Sequence, residues 1–284
     1  MSVVIRPRSP VLAPFVQSIG YYDGAQLPSR RERVLPGGGV SLMVNLAEDE
    51  FRTYDAGDPR VVHRVRGAVV AGPRSTPVVI DTAEQRCVVD VSFTPGGAAA
   101  FLRGPASDCR DRLVELADLW GRSGAVLRER LLEAAHPADV IEAALLEQLT
   151  GPSALDPAVA YAVAALERGH AVAAVTGVLG VSSRQFVRAF REQVGLTPKR
   201  YARVRRLQRL LADVHGSRPD VRGSRPADWA EVAVRHGFFD QAHLINDFRA
   251  LTGITPAVYA ATVGGERNHV PFSPIPEASP ALSV

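Results

Sequence analysis

The 284-residue sequence is poor in the residues that mark several common classes of protein. It has two cysteines, Cys87 and Cys109, without a metal-like spacing, which favours two reduced, packed thiols over a redox pair. The most apolar stretch, residues 171–181, is far shorter than a membrane span. The first residues are too few and too interrupted by proline for a signal peptide. We therefore expect a cytoplasmic protein without a membrane segment.

The N-terminal half also lacks the patterns of a catalytic or metal site. Residues 1–150 contain two histidines, His63 and His136, which lie far apart in the sequence, so a metal-binding barrel is not predicted. A G-x-S-x-G elbow, a Walker loop or a dinucleotide-binding glycine motif is missing in the required context. Residues 94–97 indicate a glycine turn that opens a helix, or alternatively a small anion site. We expect no catalytic residue, no metal and no cofactor.

The chain contains a duplicated sequence segment. Residues 190–201 and 248–259 both read F-R-x-x-x-G-[L/I]-T-P-x-x-Y and lie 58 positions apart. Each copy predicts the end of an amphipathic helix, a left-handed glycine cap, and a new helix that begins with a threonine cap and a proline. Two copies at this spacing indicate a duplicated supersecondary unit rather than a solenoid.

A short helix and a turn precede each copy and complete the unit. The first unit is predicted as helices 172–179 and 183–194, with Ser182 as the N-cap of the second helix. The second unit is predicted as helices 228–235 and 239–251, and a helix over 198–211 joins the two units. A short helix, a glycine turn and a polar-faced helix are the elements of the DNA-reading helix-turn-helix.

These motifs resemble the AraC/XylS family of bacterial transcription regulators. The resemblance covers about residues 156–261 and rests on G-V-S-S-R-Q-F-V-R-A-F-R at 180–191, G-F-F-D-Q-A-H-L-I-N-D-F-R at 237–249, and the two G-[L/I]-T-P-x-x-Y segments. It implies an all-α domain in which two helix-turn-helix units, joined by a linker helix, each place a second helix in the major groove. Residues 34–46 and 91–101 also resemble the N-terminal part of family members, which implies an architecture and no particular ligand.

The sequence departs from the family pattern at three places. Thr176, followed by Gly177, stands where a small alanine is usual, and the glycine weakens that helix by roughly 1 kcal/mol. In the second reading helix Asn246 stands where relatives often have a basic residue, and the side chain of Ala242 is expected to be too short to reach the DNA. A tandem repeat over residues 216–228 lengthens the connection between the units and is predicted to be a solvated loop.

Charge supports a DNA-binding function for the C-terminal half. Residues 156–261 contain 15 Lys/Arg and 9 Asp/Glu, whereas residues 1–155 contain 17 and 19. A positive surface releases counterions from a duplex when it binds, so this asymmetry is expected of a DNA-binding domain.

The exposed positions of the two second helices are the candidate DNA contacts. Arg184 and Arg188 are predicted to reach base edges, because arginine makes bidentate contacts to guanine. Gln185 and Arg191 suit phosphate or sugar contacts, whereas the side chains of the second helix suit adenine or mixed contacts. The predicted DNA-binding residues are Ser183, Arg184, Gln185, Arg188, Arg191, Gln241, His243 and Asn246. The predicted core residues are Phe186, Phe190, Leu207, Phe238, Leu244 and Phe248, with Tyr201 and Tyr259 bracing the helices.

The predicted fold is α+β followed by all-α. Residues 1–150 are expected to form a sensor or dimerisation domain, a small β-barrel or sandwich with helices on one side. Its strands are predicted near 40–46 and over 61–66, 68–71, 78–80 and 87–93, and its helices over 98–103, 113–120, 125–135 and 138–149. Residues 151–155 are expected to be a linker, 156–261 the DNA-binding domain, and 262–284 a disordered tail.

Together these features predict a sequence-specific, effector-responsive transcription regulator that binds double-stranded DNA and is not an enzyme. RNA polymerase, an unknown small-molecule effector and a second copy of the chain are further candidate partners. Two alternatives remain open. A DNA-modifying or repair enzyme fused to the same kind of domain requires a clustered site in residues 1–150, and an effector-independent DNA-organising protein predicts little sequence preference.

Overall fold

The computed structural model describes residues 2–24, 30–149, 155–216 and 228–272. None of the helices in these ranges has the length and apolar character needed to cross a membrane. The strands are β1 Ser2–Ile5, β2 Val16–Asp23, β3 Arg31–Val34, β4 Ser41–Asn45, β5 Glu50–Tyr54, β6 Val62–Arg66, β7 Ala68–Ala71, β8 Val78–Asp81, β9 Cys87–Phe93, β10 Leu113–Glu115 and β11 His269–Pro271. The helices are α1 Leu116–Trp120, α2 Arg122–Ala125, α3 Leu127–Leu132, α4 Pro137–Gln148, α5 Pro157–Glu167, α6 Val172–Leu179, α7 Ser183–Val194, α8 Pro198–Gly216, α9 Trp229–Arg235, α10 Gln241–Thr252 and α11 Pro256–Thr262.

Two antiparallel sheets form the N-terminal part. One has the order β1-β2-β9-β4-β7-β10 and the other β11-β3-β8-β5-β6, so the described strands make a sandwich with open edges and not a closed barrel. Alternation along the strands creates two cores. Leu42 and Val91 lie in the core that includes the helices α1, α3 and α4, whereas Phe51, Val69 and Val88 form a smaller cluster.

The predicted strands of this part are largely confirmed, and the predicted helices need correction. Residues 113–120 were expected to be one helix, but Leu113–Glu115 pairs with β7 and the helix begins only at Leu116. Pairing with β7, which makes the segment the edge strand of the sheet, overrides the weak helical preference of such a short segment. The helix predicted over 125–135 is interrupted at Val126, and residues 97–101 form a 3₁₀ turn in place of the helix predicted over 98–103.

The segment after α11 returns to the N-terminal part, which corrects the expectation of a disordered tail for residues 262–272. Strand β11 pairs with β3, and the Leu35 amide donates to the Asn268 carbonyl at 2.8 Å. Val270 is 2% exposed and belongs to the core of the helical part. A three-residue strand is too short to show a hydrophobic period in the sequence, so it could not be predicted and is identified only in the structure. The remainder of the tail, most of the predicted linker and most of the 216–228 repeat lie outside the described residues.

The duplicated segment folds twice in the same way. In each copy the motif phenylalanine packs against the motif tyrosine, with ring centroids 5.6 Å apart for Phe190 and Tyr201 and 5.8 Å apart for Phe248 and Tyr259. The glycine that ends each second helix has a positive φ, as its left-handed cap requires. The bounds of α6 and α7 agree with the predicted ones. Both units share one continuous core.

The N-terminal and helical parts are joined by buried polar contacts. The Gln208 side chain of α8 donates from Nε2 to the Pro36 carbonyl at 2.7 Å and to Asn268 Oδ1 at 3.0 Å. Arg33 of β3 donates to the Thr252 carbonyl, at the end of α10, at 3.3 Å. Leu35 lies in the helical core itself. The helical part therefore draws on residues from both sides of the predicted 156–261 boundary.

We expect the returning segment to stabilise the helical part. Val270→Ala removes two buried methyl groups from the shared core and should lower the free energy of unfolding by about 1–3 kcal/mol. Val4→Ala, at a valine 65% exposed in the edge strand β1, is the matched control and should change it by less than about 0.5 kcal/mol. Urea unfolding followed by tryptophan fluorescence measures both, and equal effects would contradict the role given to this segment.

Candidate nucleic-acid interface

The first reading helix, α7, begins with a reciprocal cap. Ser182 Oγ accepts from the Gln185 amide at 3.3 Å and donates to Gln185 Oε1 at 2.7 Å. One orphan backbone amide at the start of the helix is thereby satisfied, and the second bond fixes the serine hydroxyl. Phe186 and Phe190 are buried on the inner face, as predicted. Gln185 thus has a structural role in addition to the predicted phosphate contact, and it uses its carbonyl oxygen for that role.

The outer face of α7 carries the predicted arginines. Ser183, Arg184, Arg188 and Arg191 are all exposed. Arg188 donates from Nε to Glu192 Oε1 at 2.9 Å, with the two side chains 79% and 46% exposed. An exposed pair of this kind contributes only about 0.5 kcal/mol, so Arg188 can exchange Glu192 for a base or a phosphate at little cost.

The second reading helix, α10, begins two residues later than the predicted segment and is capped by Asp240. Asp240 Oδ1 accepts from the His243 amide at 2.7 Å. The His243 ring accepts at Nδ1 from the Phe239 amide at 3.2 Å and lies edge-on to Phe238, with centroids 5.4 Å apart. This contact places the ring proton on Nε2. Nε2 is thus the ring atom of His243 that remains for a ligand, as a donor.

Gln241 and Asn246 are exposed on α10, as the sequence predicts. Ala242 is exposed beside them and presents a methyl group instead of a polar one. Two neutral amides can pair with adenine edges or with phosphate, and they add no net charge to this end of the domain.

A buried carboxylate holds α10 to the linker helix α8. Asp247 is 9% exposed and accepts from Arg203 Nε at 2.8 Å and from Arg206 Nη2 at 2.9 Å. Arg206 also donates to the Gly237 carbonyl at 3.2 Å and lies 4.1 Å from the centroid of the Phe238 ring. Both the reading helix and the turn before it are therefore fixed to α8. This cluster was not predicted from the sequence. The available signal was the position of Asp247, three residues after Leu244 and next to Phe248, which places a carboxylate beside the buried face of the helix.

The other arginines of α8 also serve the interior of the domain. Arg209 donates to the carbonyls of Leu166 and Glu167 at 3.3 and 3.0 Å, which caps the end of α5. Arg205 pairs with Glu167 at 3.2 Å, and Tyr201 donates to the same carboxylate at 3.1 Å. Burial raises the pKa of Tyr201, and burial lowers the pKa of Arg209. Part of the positive charge counted along the sequence is thus neutralised internally.

Helix α9 is fastened to the end of α8 by a second carboxylate. Asp213 accepts from His236 Nε2 at 3.0 Å and pairs with Arg235 at 3.1 Å. The hydrogen bond from His236, followed by that from Arg235, holds the pKa of Asp213 below its usual range. Three carboxylates, Glu167, Asp213 and Asp247, therefore anchor the helices that surround α8.

The first reading helix touches the N-terminal part at its far end. A Cβ on Gly195, the left-handed cap of α7, would lie 2.5 Å from Pro73 Cγ and 2.9 Å from the Ala106 carbonyl oxygen. Gln193 Oε1 accepts from the Asp156 amide at 3.1 Å. The outer face near the start of α7 stays exposed while its end is packed against the N-terminal part.

The described residues of the N-terminal part contain no group of three or more metal-ligating side chains. Both cysteines are free thiols, and burial raises the pKa of Cys109. A cavity of about 130 Å³ lies among β7, β10, α2 and α3, with Arg66, Glu115, Arg128 and Glu129 in its lining. It is smaller than the roughly 300–1,000 Å³ of typical small-molecule sites.

A helix-turn-helix domain model of the AraC type matches residues 175–262. The chain therefore contains a helix-turn-helix domain of the AraC type. A domain of unknown function (DUF6597) matches residues 4–115, which cover both sheets except β1's first residues and β11. No curated protein gives a significant match to the sequence.

Crystal structures of ToxT from Vibrio cholerae are similar to the chain at a low level. One shares 9% identity with a TM-score of 0.44 and covers 84% of this chain and 98% of its own. Another, with an unsaturated fatty acid bound, shares 11% identity with a TM-score of 0.42 and covers 90% and 97%. At this level of likeness no residue of ToxT can be placed on this chain.

Asp247 and Glu192 provide a matched test of the anchoring of α10 to α8. Asp247→Asn leaves two arginines of α8 without their carboxylate and should lower the free energy of unfolding by about 1–3 kcal/mol. Glu192→Gln breaks an exposed pair and should change it by less than about 0.5 kcal/mol. Both remove one negative charge from a reading helix, so chemical denaturation compares them directly. A loss of stability as large in Glu192→Gln as in Asp247→Asn would contradict the assignment.

Proposed function

We propose that the protein is a sequence-specific transcription regulator that binds double-stranded DNA through α7 and α10. The observation that carries the proposal is the pair of capped, exposed helix faces on one linker helix, with α7 packed against α8 in the shared core and α10 held to α8 by the Asp247 cluster. Helices placed in this way fit successive major grooves on one side of a duplex, roughly 34 Å apart. The predicted contacts on these faces lie on the described surface and not in the core.

The charges on the exposed faces of α7 and α10 indicate that the two units contribute unequally to sequence specificity. Arg184, Arg188 and Arg191 of α7 are cationic, and charge-assisted bidentate contacts are roughly twice as strong as neutral hydrogen bonds. Gln241 and Asn246 of α10 are neutral. We expect α7 to define its block of the DNA site more tightly than α10 defines its own.

The N-terminal part is proposed to control this binding. It contacts the end of α7 through Gly195 and the end of α10 through Arg33, so a change in its packing reaches both reading helices. A small-molecule effector or pairing with a second copy of the chain would act through these contacts. Contact with RNA polymerase and a cytoplasmic location also belong to the proposal.

Selection of bound sites from random duplex DNA tests the proposed function. The expected result is an asymmetric site with one sharp block of a few base pairs and a second, weaker block about one helical turn away. A DNA-organising protein would instead enrich no sequence. Two blocks of equal information would contradict the proposed division between α7 and α10.

Arg188→Ala tests the orientation of the first reading helix. Loss of a bidentate contact to guanine should weaken binding to the selected site by about 1–3 kcal/mol and relax specificity at one or two positions. Arg60→Ala, which removes the same charge at a side chain 82% exposed in the N-terminal part, should leave the affinity unchanged. Fluorescence anisotropy at fixed salt measures both. Wild-type affinity in Arg188→Ala would show that this arginine faces away from the bases.

The enzyme alternative makes a different prediction. A DNA-modifying or repair enzyme would change the bases or the backbone of the selected duplex during incubation. We expect the duplex to be recovered with unaltered mass, and a product of altered mass would favour this alternative.

A further inference from the structure

Phe239 projects from the turn that begins the second reading helix. Its side chain is 89% exposed, whereas the neighbouring Phe238 is 7% exposed and packs under Arg206. Single exposed apolar residues are common on protein surfaces and need no explanation in general. The position of Phe239 is what makes it informative, because the N-terminal residues of a reading helix are those that contact base edges.

The backbone at Phe239 is held in place. Its amide donates to the His243 ring at 3.2 Å, and the next residue, Asp240, caps α10 through the His243 amide at 2.7 Å. The corresponding turn of the first unit is one residue shorter, since Gly180 is followed two positions later by the cap Ser182, whereas Gly237 is followed three positions later by Asp240. The second unit therefore has an additional residue at its tip, and that residue is an aromatic one.

The first turn of α10, which follows this ring after one residue, adds two other exposed groups. Gln241 offers an amide that can make a bidentate pair with adenine N6 and N7. Ala242 offers a methyl group. In an A·T pair, the thymine opposite that adenine presents its C5-methyl group in the same major groove, and Phe and Ala side chains are among those that pack on it. These three exposed side chains offer one amide and two apolar groups, which are the kinds of group that the two edges of an A·T pair accept.

We propose that Phe239, supported by Ala242, packs on thymine C5-methyl groups and makes α10 select A·T pairs in its block of the DNA site. This inference rests on the proposed function and adds a base preference to it. It assigns opposite preferences to the two units, guanine for the arginines of α7 and thymine for the tip of α10. It also gives Ala242 a role, although that residue cannot hydrogen-bond to a base.

Replacement of thymine by deoxyuridine tests the inference directly. Deoxyuridine keeps the hydrogen bonds of thymine and lacks only the methyl group. Burial of one methyl group corresponds to about a fourfold change in affinity. Each thymine contacted by Phe239 should therefore contribute a three- to fivefold loss when it is replaced in the α10 block, and replacement in the α7 block should have a smaller effect.

A double-mutant cycle separates the contact from changes in DNA shape. Phe239→Ala should weaken binding to the thymine duplex and lose most of the discrimination between thymine and deoxyuridine duplexes, because only the smaller contact of Ala242 remains. Phe239→Leu, which keeps an apolar side chain, should retain part of the discrimination. Val258→Ala, at a residue 45% exposed on α11, is the control and should discriminate as wild type does. Circular dichroism of each variant checks that the fold is intact.

The outcomes distinguish this inference from the proposed function. Wild-type protein that binds its selected site but does not discriminate thymine from deoxyuridine would overturn the inference alone. Undiminished discrimination in Phe239→Ala would also overturn it, because the methyl group would then be read without Phe239. Wild-type protein that selects no DNA sequence would overturn the proposed function itself.

Discussion

The arrangement of the two reading helices depends on one buried carboxylate. Asp247 lies on the inner side of α10 and binds two arginines of the linker helix α8, one of which also packs on the turn before α10. A carboxylate at this depth needs both partners, because an unpaired buried charge is costly. The position of α10 relative to α7 is therefore tied to α8, which packs on both units. Without this cluster the spacing of the two exposed faces would be set by apolar packing alone.

The N-terminal part participates in the same core. Leu35 and Val270 come from opposite ends of the chain, yet both lie among the residues of the two helix-turn-helix units. Gln208 of α8 hydrogen-bonds to both neighbouring segments. Any event that shifts β3 or β11 must therefore disturb the linker helix or the helices that it holds. This physical connection is what the proposed control of DNA binding uses.

Local signals made the helical units predictable from sequence. Ser182 and Gly195 mark the ends of α7 through contacts within a few residues, and the duplicated motif fixes the second unit in the same way. The partners of Asp247 and the pairing of β11 with β3 involve residues 41 to more than 230 positions apart, and no local pattern reports them. Arg184 and Gln241 could be predicted as candidate DNA contacts because they occupy positions of the reading helices that the hydrophobic pattern does not assign to the core. Their DNA contacts stay predictions.

The spacing of the two blocks in the DNA site tests the central claim most directly. If α8 and Asp247 fix the distance between the reading helices, insertion of five base pairs between the blocks rotates one block to the opposite side of the duplex. The affinity should then fall to that of a duplex with the α7 block alone, and Asp247→Asn should lose less on the same insertion. Equal affinity of the wild-type protein for duplexes with and without the insertion would contradict a fixed arrangement of the two reading helices.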